Sequence, residues 1–213
     1  MNITKEHFYQ GRPGPVVIAF YTDGTPYVDE ARAFMAGLRP WCLTYKVYGC
    51  ENLGSWQKNT QMKSKVVEHA LLKDFPGQKL LYLDVDSIIV QMPDLSCPGA
   101  DIGAVHFADT GEMLSGTVMF AGTDKCREAV RRWNVLNEAY PDKLPNGRDA
   151  WDQRTLKMAI ADVGAVFYEF PQGYTWVSEL TPSRYPGLSP VIAHTRGALR
   201  YRQIVDGKPF EQA

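Results

Sequence analysis

Cysteine is sparse: the 213 residues hold four, Cys42, Cys50, Cys97 and Cys126, and no two stand in a CxxC pair. That scatter excludes a zinc ribbon and a dense disulfide framework, and leaves reduced, unpaired thiols as the expectation. Long hydrophobic runs are missing as well. No apolar stretch approaches the ~20 residues a membrane helix needs, and the opening MNITKEHFYQGRPGP lacks the basic-then-apolar profile of a secretory leader. A soluble, cytoplasmic protein with no membrane span is the expectation. Charge of one sign is not in excess either, with 23 Lys and Arg against 24 Asp and Glu and a net charge of -1. Global attraction to nucleic acid or anionic lipid is thereby excluded, although a local basic patch is not. There is no internal repeat, low-complexity tract or clean linker, so residues 1–213 read as one globular domain.

What is present is core-forming material: 45% hydrophobic residues and 12% aromatics suffice for a sizeable interior at this length. VVIAFY (16–21), β-branched and aromatic and preceded by Gly and Pro, predicts a buried first strand. TDGTPYVDEARAFMAGL predicts a turn and then a helix. Thr25 is its expected N-cap, Pro26 its first helical residue, Asp29 and Glu30 its N-terminal acids, and Val28, Ala31, Met35 and Leu38 its apolar stripe. LTYKVY reads as a second strand, ENLGSW as a loop, QMKSKVVEHALLKDF as a second helix and KLLYL as a third strand. This alternation predicts an α/β domain whose mostly parallel central sheet is flanked by helices. The second half mixes strands (DIGAVHF, SGTVMFA, AVFYEF) with helices (DKCREAVRRWNVLNEAY, DAWDQRTLKMAI). A Pro- and Gly-rich stretch from Pro171 to Pro190 and the tail VIAHTRGALRYRQ follow, so the carboxy-terminal part is small and mixed.

LLYLDVDSIIV (80–90) raises the chemical question. Asp84 and Asp86 interrupt one of the most apolar runs in the chain, and an acid in such surroundings is costly unless paired. Residues two apart on a strand share a side, so both carboxylates are expected to aim at one spot while Val85 faces the other way. That spot lies at the carboxyl end of the sheet, where open α/β folds place ligands. Converging carboxylates repel unless protonated or bridged by a cation, and hard oxygen ligands suit Mn²⁺ or Mg²⁺, ions that take up phosphate oxygens.

YTDGTPYVDEA after the first strand, a lysine-bearing helix before the third, LLYLDVDSIIV, SGTVMF, WDQRTL and a late IAH together resemble the GT-A glycosyltransferases. This is the nucleotide-diphospho-sugar transferase fold with a DxD motif, and the likeness covers about residues 16–203. The resemblance implies one Rossmann-like GT-A domain, with a nucleotide- and metal-binding part at about 16–105 and a sugar and acceptor part at about 106–213. It implies metal-dependent transfer of a sugar from a nucleotide-diphosphate sugar, a UDP-sugar above all, to an acceptor hydroxyl. Asp84, Asp86 and His194 would hold the Mn²⁺ (or Mg²⁺) ion. Tyr21, Thr22 and Asp23 would lie against base and ribose, and Lys65, with Lys58 and Lys63 as competitors, would reach the donor. Asp84, Val85, Ser115, Gly116 and Gln153 would also line the donor site, Arg196 and Arg200, followed by Arg202, would clamp the diphosphate, and Asp152 would be the catalytic base if the transfer inverts the anomeric centre, the resemblance leaving inversion and retention both open. The acceptor would be a glycan, a protein or a modified (hydroxymethylated) DNA base. The chain is short for this fold, so a homo-oligomer is a possible partner arrangement.

Plainer readings stand beside these. His194 also reads as a hydrogen-bonded structural residue, Asp152 as a helix N-terminal charge, and the lysines and arginines as solvated faces. Arg127, Arg131, Arg132, Lys143 and Arg148 offer phosphate contacts to a nucleic acid, or simply a basic surface. Two other function classes fit parts of the pattern. A haloacid-dehalogenase-like phosphohydrolase also sets DxD after an apolar strand, but on the first strand and with a late acid pair that is missing after Asp162. A non-catalytic nucleotide-binding module would hold the same ligands without turnover. A nucleotide-sugar pyrophosphorylase is excluded, because YTDGTPY supplies neither a glycine run nor a lysine.

Overall fold

The structure, a computed structural model, describes residues 1–107, 110–178 and 181–195. Strands β2 (Arg12–Thr22), β3 (Leu43–Cys50) and β4 (Leu80–Leu83) run parallel, because helices α1 (Tyr27–Leu38) and α2 (Trp56–His69) carry the chain back between them. Strand β1 (Ile3–Tyr9) adds antiparallel to the outer edge of β3. Strand β7 (Met113–Phe120) lies antiparallel to both β4 and β6 (Ile102–His106), and β8 (Phe167–Glu169) ends the sheet parallel to β6. The central sheet thus has seven strands in the order β1-β3-β2-β4-β7-β6-β8. Helices α3 (Asp124–Ala139) and α4 (Asp152–Val163) pack with α2 on one of its faces. A small second sheet is made by β5 (Ser87–Ile89), β9 (Trp176–Val177) and β10 (Ile192–His194), in the order β5-β10-β9, with the short helix α5 (Thr181–Arg184) beside it.

VVIAFY lacks alternation because both faces of β2 are covered. Val16 and Ile18 pack with Val66, Trp133 and Leu156 in the three-helix layer, whereas Val17, Ala19 and Tyr21 pack with Ala31, Phe34 and Leu38 of α1. Strand β4 divides in the same way, Leu80 and Tyr82 to the first layer and Leu81 and Leu83 to the second. Trp133 is fully buried, stacks on Phe120 and donates its indole N–H to the Asp152 carbonyl at 2.9 Å, so the large core aromatic of α3 also fixes the start of α4.

The sheet is parallel in its middle, as the sequence predicts, but the run at 16–21 is the second strand rather than the first. Strand β1 carries no apolar run to betray it, because an edge strand with its residues mostly at the surface needs none. Pro26, not Thr25, occupies the N-cap of α1, and the Thr25 hydroxyl instead donates to Thr22 O at 2.7 Å. The loop before α2 ends one residue earlier than expected, at Ser55, whose side chain caps the helix by accepting from Lys58 N–H at 3.2 Å. The stretch from Pro171 to Pro190 includes a 3₁₀ turn (Gln172–Thr175), β9 and α5. Among the described residues, no helix is long and apolar enough to cross a membrane.

Cys42 is exposed, whereas Cys50, Cys97 and Cys126 are buried. Burial, helped by the Asp23 charge, pushes the Cys50 thiol up to about 12, and burial pushes Cys126 up to about 11. Native protein at pH 8 is therefore expected to react rapidly with Ellman's reagent at Cys42 alone; a second rapid thiol would contradict this packing. Trp133→Ala is expected to cost about 3–5 kcal/mol in urea unfolding, and a loss below 1 kcal/mol would show that the α3–α4 contact contributes little.

Candidate active site

Asp84 and Asp86 do not lie on a strand. Strand β4 stops at Leu83, and Asp84, Val85 and Asp86 form the turn into β5, closed by Ser87 N–H donating to Asp84 O at 3.0 Å. The acids therefore converge because of this turn and the strands that hold it, not through the period of two. Strand β7 holds one end, accepting the Asp84 N–H at Gly116 O (2.9 Å). Strand β10 holds the other, pairing His194 with Ser87, and Thr195 N–H donates to Asp86 O at 3.1 Å. One potential ligand atom each from Asp84, Asp86 and His194 consequently lie within 4.8 Å of one another.

Gly116 permits this approach. A Cβ there would stand 2.8 Å from His194 Cε1 and 3.2 Å from Asp84 Oδ2. The buried His194 ring shares a hydrogen bond between Nε2 and Thr117 Oγ1 at 2.9 Å, and its Nδ1 lies 3.6 Å from Asp86 Oδ1. That gap is too long for a hydrogen bond, yet two ligands can share one dication across it at ~2.1 Å per bond. Two carboxylates and an imidazole fit Mn²⁺ well and Mg²⁺ less well, since imidazole is the softer donor. With Nδ1 as ligand, Nε2–H would donate to Thr117, which would fix the ring's tautomer and orientation.

Lys63 lies on the α2 side of the acids and is 4% exposed. Its ammonium is 3.0 Å from Asp84 Oδ1, 3.0 Å from Asp152 Oδ2 and 3.1 Å from Ser115 Oγ, and it lies over the Tyr82 ring. Tyr82 Oη donates to Asp84 Oδ1 at 2.8 Å, and Ser115 Oγ to Asp152 Oδ2 at 2.7 Å. Burial by itself would lower the Lys63 ammonium, but the Asp152 and Asp84 charges prevail and hold it above the ordinary lysine value. Burial raises the Asp84 carboxyl, Lys63 opposes the shift, and the Asp86 charge adds to it. Strand β7 supplies three consecutive residues to this group, Ser115, Gly116 and Thr117, within a stretch where its register against β6 shifts. Irregularities of this kind re-aim side chains next to binding sites.

A cleft of about 230 Å³ opens beside these groups. Tyr21, Thr22, Val85 and Gln153 line it with Trp56 and Asn59 of α2, so the cleft draws on both halves of the chain. Asp23 does not line it; its carboxylate accepts from Thr4 Oγ1 on β1. Tyr21 does, but its hydroxyl is engaged with His7 Nε2 at 3.2 Å. The structure does not bring Lys65 here: its ammonium pairs with Glu138 at 3.0 Å, and Lys58 is exposed. Lys63 is the lysine that meets the acids. Its spacing of three before Val66 and four after Asn59 placed it on the buried face, a signal that the sequence carried. Gln153 donates to Glu112 Oε1 at 3.2 Å. Arg196 and Arg200, with Arg202, lie outside the described residues. Arg127, Arg131, Arg132, Lys143 and Arg148 each have an acid partner, namely Asp124, Glu68, Asp162, Asp149 and Glu112.

No family model and no curated protein sequence matches the chain. Solved structures do match. The chain is similar to a glycosyltransferase involved in the glycosylation of the major capsid of PBCV-1, with a TM-score of 0.67 at 14% identity, over 92% of this chain and 100% of that one. It is similar to the glycosyltransferase GlyE of Streptococcus pneumoniae TIGR4, with a TM-score of 0.56 at 15% identity, over 85% of this chain and 54% of that one. It is also similar to the WbbM bifunctional glycosyltransferase, with a TM-score of 0.52 at 12% identity, over 86% of this chain and 45% of that one. The chain thus matches the whole length of the first and about half that of the other two. Its fold is the GT-A glycosyltransferase fold.

Gly116→Ala is expected to weaken Mn²⁺ binding at least tenfold, about 1.4 kcal/mol, read from the free-ion signal in electron paramagnetic resonance. Unchanged affinity would mean that His194 and Asp84 do not need this close approach.

Proposed function

We propose that the chain transfers a sugar from a nucleotide-diphosphate sugar, a UDP-sugar first among them, to an acceptor hydroxyl, with Mn²⁺ (or Mg²⁺) held by Asp84, Asp86 and His194. The observation that carries this reading is the convergence of those three side chains within 4.8 Å, beside a cleft, in a fold shared with glycosyltransferases. When bound, the dication supplies Lewis-acid stabilisation to the departing diphosphate, where negative charge develops. The protein's part is to hold the acids in place. Lys63 and Tyr82 fix Asp84 Oδ1, which leaves Oδ2 on the side of Gly116 and His194.

Asp152 shares its Oδ2 with an ammonium and a hydroxyl. A carboxylate so engaged is better placed to accept a hydrogen bond from a substrate hydroxyl than to carry off its proton, so orientation is its proposed role rather than general-base catalysis. The acceptor is a hydroxyl of a glycan, a protein or a modified DNA base. The phosphohydrolase reading calls for its DxD on the first strand, whereas the pair here follows β4, the fourth strand of the chain.

A thermal-shift screen of UDP- and GDP-sugars with and without Mn²⁺ tests the reading, since a ligand of the native state raises Tm with RT ln(1 + [L]/Kd). Stabilisation that requires both metal and one nucleotide-sugar is expected, and Asp86→Ala is expected to abolish the joint effect. Persistence of that effect in the variant would remove the metal assignment. Release of nucleoside diphosphate into water on prolonged incubation with Mn²⁺ is the expected sign of an enzyme; binding without release would point to a non-catalytic module.

A further inference from the structure

The polar side chains of the cleft are nearly all committed to protein partners. Asn59 accepts from Leu53 N–H and donates to Asn52, Thr60 donates to Gln57 O, and Thr22 bonds Thr25. Ser115 serves Asp152 and Lys63, Gln153 serves Glu112, and the Tyr21 and Tyr82 hydroxyls serve His7 and Asp84. Thr175 differs. It lines the same cleft, is 4% exposed, and its hydroxyl has no hydrogen-bond partner among the described residues. A buried hydroxyl without a partner forfeits its hydration with no return, and such groups call for an explanation in each case.

Its position supplies one. Thr175 ends the 3₁₀ turn that leads into β9, two residues before Val177, and Val177 is the parallel partner of His194 on β10. Thr175 therefore stands on the wall that carries the third metal-ligand candidate. A donor diphosphate held by these acids would be joined to the nucleoside ribose at one end and to the transferred sugar at the other; with Tyr21 and Thr22 read as the base and ribose side of the cleft, a sugar hydroxyl is the polar atom that would arrive at Thr175. A threonine side chain swaps its hydroxyl and methyl between staggered χ1 positions, and the hydroxyl both donates and accepts. From this buried, orphaned hydroxyl in the cleft, we propose that Thr175 is a specificity-determining residue that hydrogen-bonds a hydroxyl of the transferred hexose. The assignment rests on the donor reading above.

The experiment compares wild type, Thr175→Val and Thr175→Ser for binding of UDP, UDP-glucose, UDP-galactose and UDP-N-acetylglucosamine in Mn²⁺ by calorimetry. For the best-bound UDP-hexose, Thr175→Val is expected to lose about tenfold in Kd, while UDP stays within about twofold and Thr175→Ser retains hexose binding; one decade corresponds to about 1.4 kcal/mol. The Tm of Thr175→Val without ligand is expected to equal or exceed that of wild type, because a methyl replaces a hydroxyl that has no partner. Equal losses for UDP and the hexose, no loss for either, or a Tm lower by several degrees would overturn the subsite. A wild type that binds neither UDP nor any of these sugars would overturn the donor reading itself, and the subsite with it.

Discussion

One buried ammonium organises the candidate site. Lys63 comes within 3.0 Å of both Asp84 and Asp152, and each of the three side chains would be costly to bury without the others. Asp84 and Asp152 thus set two carboxyl groups on one ammonium. The lysine also ties the group to helix α2, so the acids answer to the packing of the helical layer as well as to the strand that precedes them.

Strand β7 is the second constraint. It runs against the direction of its neighbours β4 and β6 and sets Ser115, Gly116 and Thr117 beside the acids. Each of the three does something different: a hydroxyl for Lys63 and Asp152, an empty volume for the His194 ring, and a hydrogen bond to that ring. A sheet made only of parallel strands would have had no such return strand at the tip of β4.

Much of this was legible in the sequence. The parallel middle of the sheet follows from apolar runs at 16–21 and 80–83 separated by helical periods, and Asp84 and Asp86 stand out by interrupting one of those runs. What was hidden depends on tertiary context. Edge strand β1 has no core face to mark it, and the DxD turn looks like a continuing strand because IIV follows it. The choice among Lys58, Lys63 and Lys65 needed helix phase, which places Lys63 beside Val66 on the inner face and sends Lys65 outward to Glu138. The partner of Asp23, Thr4, sits on that same edge strand, β1, and has no sequence signal either. Thr175 gave no signal at all, since a single threonine in a Pro- and Gly-rich stretch becomes informative only when its neighbours' hydrogen bonds are counted.

Trp133 gives the architecture a further property. Its ring fills the middle of the helical layer while its N–H grips the carbonyl of Asp152, so interior volume and cleft geometry share one side chain. Such coupling narrows the mutational routes open to the chain. Drift that repacks the interior also displaces an acid of the candidate site, so changes in what the cleft accepts are expected more readily on the wall formed by the 3₁₀ turn and the small sheet, which lie apart from that layer.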